Sequence, residues 1–553
     1  MSPSFLTVLS RLAVLIVVVQ VIPSNYALPH QATKKSSLWT RRPGGFDLPI
    51  TRHVVRERRK RGALSGSIGL GNNGDLLYTV PVELGNTVAA VNLDTGSSDL
   101  WVITDKCVAH TCRGANDQRY PSAGMKTVGA DVKMLYGDST TGTFASGVVA
   151  QDVAVIAGIA IDNQMFAAIN DTSNTVVQFG TSGIFGLGFP SGSKVQEAVV
   201  TQQSGPIDQT DDFVRATYDQ GPLLSRISMT GALQKPMFSI TLQRDTIDIS
   251  GQGVLSVGKL PDGVDESSLT WVPVRLYKPQ DGGLSPPAFA PNEVYPFRWE
   301  IDIDAVFLDG QRIADSKIPA EGGVDSTRVT ALIDTGNSLL RGPQDVVNNI
   351  LSTVSSTYNP NAQTPVAEVP CAVPRTLAFQ IGGKLFPVDP RDFLAPIDGS
   401  TSTTTCVADN LVSTDPPNVG ATFRWSLGDP FMKSNLVAFH YGNLTNPSVD
   451  PPMIGFMSMV PSNAGDLLKQ AVQDAQETGG FEKTLDLAPT QSAAAEGEVT
   501  VSQDFAVQTS APSSTGNSVN TNANIPSSRG FSIFTSVPAT SVLVGIVVCF
   551  VLL

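Results

Sequence analysis

Histidine and cysteine are scarce in this chain of 553 residues, which holds 4 of the first and 5 of the second. His30 and His53 fall in a basic N-terminal stretch, so only His110 and His440 are available to the remainder. No Gly-x-Ser-x-Gly occurs, and a Ser-His-Asp hydrolase is therefore disfavoured. No Cys-x-x-Cys or His-x-x-x-His spacing is present, so no metal is expected, and no cofactor either. Charge is thin as well, at 16% of residues, which is sparse for a cytosolic protein. The run from Gly69 to Gly74 fits Gly-x-Gly-x-x-Gly but leads into a strand pattern, so it reads as a loop and not a nucleotide site.

Helical signals are also few. The clearest is Pro343 at a predicted first helical position, leading into Asp345 to Leu351. What replaces them, from Asp75 to Met459, is a succession of short segments rich in Val, Ile, Thr and Phe, cut by Gly, Pro, Asn and Asp. Tyr78 to Leu84, Gly147 to Val155 and Phe238 to Leu242 are examples, and they predict an all-β body. The length exceeds one ordinary domain. Two β lobes are expected, 62–245 and 246–460, joined near 240–255.

Charge is unevenly placed. Ten Lys or Arg lie between Leu28 and Arg61 against Asp47 and Glu57 alone, a net of +8. Beyond Arg61, 26 basic residues face 48 acidic ones, a balance of −22. A basic segment ahead of an acidic body is a complementary pair and argues against a nucleic-acid partner. Residues 1–27, with Arg11 ahead of the apolar run Leu12 to Ile22, read as a secretory signal. Residues 28–61 then read as a pro-segment, whose end, Arg58-Arg59-Lys60-Arg61, suits a kexin-like processing protease. The other end of the chain changes composition. From about Ala488 to Ser528 it is Ser, Thr, Ala, Asn, Gly and Pro, which cannot bury enough to fold, and 461–530 is expected to be a Ser/Thr-rich stalk. Residues 531–553 end in an apolar run with no Lys or Arg after it. That pattern suits a glycosylphosphatidylinositol signal, with attachment near Asn522-Ala523-Asn524 or Gly516-Asn517-Ser518; a single-span helix is the alternative.

The cysteines form two close sets, Cys107 with Cys112 and Cys371 with Cys406, which fit disulfides in a secreted chain. Cys549 falls in the apolar tail. Asn170-Asp-Thr172 and Asn443-Leu-Thr445 are glycosylation acceptors.

The most informative feature is a repeat. Val91-Asn-Leu-Asp94-Thr95-Gly96-Ser97-Ser98 and Ala331-Leu-Ile-Asp334-Thr335-Gly336-Asn337-Ser338 share an Asp-Thr-Gly after an apolar run, 240 residues apart. This suggests an internal duplication that brings Asp94 and Asp334 to one point. Two adjacent carboxylates sharing a proton can activate water and protonate a carbonyl together.

On these residues the chain resembles the pepsin-type aspartic endopeptidases. Asp94 to Val102 matches the first active-site signature, with Asp99 where Asn is common. Tyr136-Gly137-Asp138 resembles the flap that closes over substrate, and Trp101 would support Tyr136. Ile184 to Gly188 and Leu427-Gly428-Asp429 resemble the segments that complete the active-site loops, and both cysteine pairs match family disulfides. The resemblance covers about 75–459 and implies a bilobal double β-barrel with the active site in the cleft. It also implies polypeptide substrates, an inhibitory pro-segment, acid activity, and roles for Thr95, Gly96, Ser97, Thr335 and Gly336 in holding the two Asp. In organisation it is similar to the yapsin-like enzymes of fungi, which implies a cell-surface location and a membrane partner through a lipid anchor or tail helix. An Asp138 in the flap implies acceptance of basic as well as large apolar residues before the scissile bond; the alternative is that it only bonds the flap backbone beside Ser139. Asn337 departs from the usual Thr or Ser, although its amide could still donate to Asp334. Lys278 to Tyr295 reads as an inserted surface loop. The alternative reading is a catalytically weak pepsin-fold binding or cell-wall protein.

Overall fold

The computed structural model describes residues 64–481, except 74–76, 115–118, 138–141, 206–209, 245–246, 249–252, 320–327, 398 and 414–422, together with short strand pieces at 40–42, 45–47, 485–486 and 500–501. The signal, most of the pro-segment, Asp138, the 487–530 portion of the expected stalk apart from 500–501, and the 531–553 tail with Cys549 lie outside the described residues.

The body is mostly β, in agreement with the predicted class. Alternation drives it: along Tyr78–Leu84, Tyr78, Val80, Val82 and Leu84 are fully buried while Thr79 and Glu83 are only partly so. In the first lobe this strand pairs with Thr87–Asp94 and also with Thr143–Ile156, which curls the sheet upon itself.

The duplication is visible in the strand register. Thr87–Asp94 lies parallel to Gly183–Gly186, with Gly186 opposite Asp94. In the second lobe Thr330–Ile333 lies parallel to Trp425–Leu427, with Leu427 opposite Ile333. Each inserted strand then pairs antiparallel with the strand following its Asp-Thr-Gly, Leu100–Ile103 in one lobe and Leu340–Gly342 in the other. Both catalytic-loop candidates are thus clamped between a preceding and a following strand by a third segment distant in sequence.

Between the lobes runs a six-stranded sheet, in the order Thr270–Pro273, Met453–Ser458, Asn435–His440, Met237–Thr241, Val254–Val257, Gly66–Gly69. The antiparallel pair Met237–Thr241 and Val254–Val257 of this sheet flanks the stretch near 240–255 where a junction was expected. Above it sits an aromatic cluster: Phe238 stacks on Phe439 at 4.7 Å, and Trp299 lies 4.2 Å from Phe189 and 5.1 Å from Tyr441. Trp299 and Tyr441 are buried, and removing such a ring costs about 3–5 kcal/mol.

Two expectations are corrected. Residues 464–478, placed in a stalk starting at 461, form the helix Ala464–Thr478, with Leu468 and Val472 buried in the main core. Its apolar residues recur at helical spacing among Ala, Gln and Glu, so the folded body extends past 460. Pro343 is the N-cap of helix Gln344–Val354 and not its first residue. Helices Lys194–Ser204, Thr210–Gln220 and Leu223–Met229 were not foreseen at all. The 278–295 stretch is mainly exposed or half-buried, as expected of an insertion.

Candidate active site

The strands Thr87–Asp94 and Thr330–Ile333 deliver Asp94 and Asp334 to the same place. The two loops interlock through their threonines. Thr95 N donates to Thr335 Oγ1 at 3.1 Å and Thr335 N to Thr95 Oγ1 at 3.0 Å. Each hydroxyl then donates across the joint, Thr95 to Ile333 O and Thr335 to Leu93 O, both at 2.8 Å. Every polar atom of the two threonines used here is buried and satisfied, so the loops have little freedom to separate.

The glycines are required by proximity. A Cβ on Gly96 would fall 2.5 Å from Asp334 Oδ1, and one on Gly336 would collide with Asp94 Oδ1. Instead each amide donates to its own carboxylate, Gly96 N to Asp94 Oδ1 and Gly336 N to Asp334 Oδ1, at 2.8 Å in both cases. A hydrogen bond also links the two carboxyl groups.

Beyond that point the repeat becomes unequal. Asp94 also receives Ser97 Oγ at 2.5 Å and Ser97 N at 3.2 Å. Asn337, three residues after Asp334, does not donate to that carboxylate. Its Nδ2 goes to Leu339 O at 2.7 Å and Ser426 Oγ at 2.9 Å, and its Oδ1 accepts from Arg341 Nε. The amide spends its donors on Leu339 O and Ser426 Oγ instead of the carboxylate.

Electrostatics follow from this inequality. Burial raises Asp94, but Ser97 Oγ, the Gly96 and Ser97 amides and the proton shared from Asp334 oppose the rise. Burial also raises Asp334, and there the neighbouring Asp94 charge adds to the effect while Gly336 and Arg341 offset little of it. Burial pushes both carboxyls up, and the hydrogen bonds favour the ionised form more at Asp94 than at Asp334.

Tyr136 ends the strand Lys126–Tyr136, and Gly137 follows with φ of 80°, the left-handed region where glycine is favoured. Trp101 Nε1 donates to Tyr136 Oη at 2.8 Å, and the rings are 6.4 Å apart. Burial, then the charges of Asp99 and Asp94, hold the phenol well above its ordinary pKa, so it stays a donor. Cys107–Cys112 and Cys371–Cys406 are disulfide-bonded, and Asn170 and Asn443 are exposed.

Three contributors escape sequence reasoning. Asp99 is buried and accepts Ser193 Oγ at 2.5 Å and the Lys194 amide at 2.7 Å, which ties the active-site loop to the start of helix Lys194–Ser204. Burial pushes its carboxyl up to about 6. Trp299 Nε1 and Tyr441 Oη both donate to Leu187 O, at 2.9 and 2.7 Å, and so brace the segment behind Asp94. Asp99 could have been suspected from its departure from Asn; the two aromatics carry no local signal.

The comparisons agree with this geometry. The family model described as eukaryotic aspartyl protease matches residues 77–447. Pepsin A of Sus scrofa is 27% identical over 386 residues, covering 69% of this chain and 83% of that protein. Cathepsin E-A of Xenopus laevis is 26% identical over 359 residues, 64% of this chain and 73% of that one. With a matched region that takes in both Asp-Thr-Gly loops and both lobes, the chain belongs to the eukaryotic aspartyl protease family and is an aspartic endopeptidase.

Proposed function

We propose that Asp94 and Asp334 are the catalytic pair, and that the enzyme works at acid pH on polypeptides that enter beneath Tyr136. The observation that carries this is the unequal pair itself. Asp94, ionised, takes a proton from a water placed between the carboxylates, and the resulting hydroxide attacks the scissile carbonyl carbon. Asp334 gives its proton to the carbonyl oxygen as the tetrahedral intermediate forms. Collapse then breaks the C–N bond, the proton now on Asp94 passes to the departing nitrogen, and the hydroxyl returns its proton to Asp334. Protons balance, and the pair is restored. Tyr136, kept protonated, is positioned to donate to the bound peptide, and Trp101 orients it.

We further infer a secreted zymogen. The +8 pro-segment 28–61 complements the −22 remainder at neutral pH and loses hold as carboxylates protonate, and a kexin-like protease releases it after Arg61. The composition of 488–528 and the apolar 537–553 run support a stalk and a lipid-anchored cell-surface location, and the exposure of Asn170 and Asn443 supports glycosylation there. Cleavage-site profiling of the processed protein at pH 4 and pH 7, with and without pepstatin, tests the catalytic reading. Pepstatin-sensitive internal cleavage at the lower pH is expected, and cleavage indifferent to pepstatin would refute it.

A further inference from the structure

Arg298 precedes Trp299, whose carbonyl accepts the amide of Ile333 one residue ahead of Asp334. Its backbone therefore borders the catalytic loop, and its guanidinium is near enough to Asp334 to interact with it electrostatically. Three aromatic rings surround the group: Phe297 at 4.9 Å, Phe423 at 5.4 Å and Tyr277 at 5.9 Å. Neighbouring Arg275 lies over Tyr277 too, but it is paired with Glu300 at 2.9 Å, and Glu300 also accepts from Tyr277. That carboxylate is already committed. Among the described residues the Arg298 guanidinium has no hydrogen bond or ion pair.

A half-buried guanidinium with five donors and no acceptor is expensive, and ring faces compensate only part of the lost hydration. Burial and the Arg275 charge lower its pKa to about 10, so it remains a cation wherever the enzyme works. Asp334 acts on it through charge alone, with no hydrogen bond or ion pair to the guanidinium. An anion drawn in beside Asp334 would meet these unused donors.

We propose that Arg298 binds an acidic side chain of the peptide substrate close to the scissile bond, so that one subsite of this protease selects Asp or Glu. The inference rests on the peptidase reading above. A planar fork of N–H donors matches a carboxylate bidentately, and the aromatic walls fix the plane of the fork and reduce screening. The acidic balance of the body disfavours acidic peptides as a whole, so this cation would choose a position within a substrate and not acidic substrates in general. A guanidinium that served only to tune Asp334 would shift the pH profile and treat acidic and amide side chains alike.

The test is a peptide panel in which Glu and Gln are exchanged at each position from two before to three after the scissile bond. At one position the wild-type Glu/Gln ratio of kcat/KM should reach about tenfold, the size of one charge-assisted hydrogen bond. It should rise between pH 3.5 and 5.5 as the substrate carboxyl, with an unperturbed pKa of about 4.3, ionises. Arg298→Gln should bring the ratio to about one, and Arg298→Lys should retain part of it. A ratio near one at every position in the wild type overturns the proposal even if no variant folds. So does a ratio unchanged in folded Arg298→Gln. Failure to cleave any peptide, Gln series included, would instead count against the peptidase reading.

Discussion

The indole nitrogen of Trp101 gives its hydrogen bond to Tyr136 Oη, so the strand that follows the first Asp-Thr-Gly, Leu100–Ile103, fixes the aromatic at the end of Lys126–Tyr136. Trp101→Phe keeps the buried ring but removes the donor. Stability should change by about 1 kcal/mol, the net worth of one hydrogen bond. Activity should suffer more, with kcat/KM down about tenfold and the pH profile unmoved. Steady-state kinetics across pH alongside thermal unfolding checks this.

Asp94→Asn and Asp334→Asn should each abolish turnover while leaving the fold in place. Either change removes one half of the acid–base pair, yet Asn preserves the acceptor that Gly96 N or Gly336 N requires. Circular dichroism and a pepsin-type peptide assay would show it; wild-type turnover in either variant would exclude the mechanism.

The inequality between Ser97 and Asn337 predicts opposite shifts of the two limbs of the pH profile. Ser97→Ala removes a donor to ionised Asp94, so Asp94 holds its proton to higher pH and the acid limb should move up by about one unit. Asn337→Thr offers Asp334 a hydroxyl like the one Ser97 gives Asp94. It should lower Asp334 and draw the alkaline limb downward. Profiles of kcat/KM against pH read both.

Asp99 predicts a pH dependence of stability. Its folded pKa, about 6, lies above the ordinary carboxylate value of 3.8, so the folded state favours the protonated form. The contribution to stability is fully present below about pH 3.8 and is lost as pH rises through 6. Asp99→Asn should therefore flatten the decline between pH 4 and pH 7 by about 2–3 kcal/mol, the equivalent of two units. Denaturant unfolding at those two values gives the comparison.

Blocking the dibasic site with Lys60→Ala and Arg61→Ala should leave a larger precursor with low activity near neutral pH. N-terminal sequencing that finds no start near Gly62 in the wild type would remove that route of activation.

Much of the site was legible because the chemistry is written twice. Asp94 and Asp334 came from the repeated triplet, and strand Tyr78–Leu84 from its β-rich composition between turn residues, matched end to end. The long-range insertions were legible only through the family resemblance, which marked Ile184 to Gly188 and Leu427 to Asp429 as completing the loops. No local pattern near Gly183–Gly186 gives its parallel register beside Val91 to Asp94, since that pairing depends on chain returning from 92 residues away. Helix Lys194–Ser204 was missed because its polar face dominates the sequence, while its N-terminus is fastened by Asp99 from another segment. Helix Ala464–Thr478 was absorbed into a stalk because Ala, Gln and Glu suit both. Arg298 gave no signal, since one cation among 37 means nothing until its neighbours are known.

The exchange between Thr95 and Thr335 has the form of an isologous contact: what each residue gives to its counterpart it receives back. That is the pattern of a two-fold axis between identical subunits, here contained in a single polypeptide. Two separate copies would be bound to keep both sides alike, because any substitution would appear twice. Covalent fusion lifts that constraint. Ser97 and Asn337, at equivalent positions, have diverged, and so the two carboxyls already differ in their hydrogen bonding before any substrate arrives. A symmetric ancestor would have to choose between the two at every turnover.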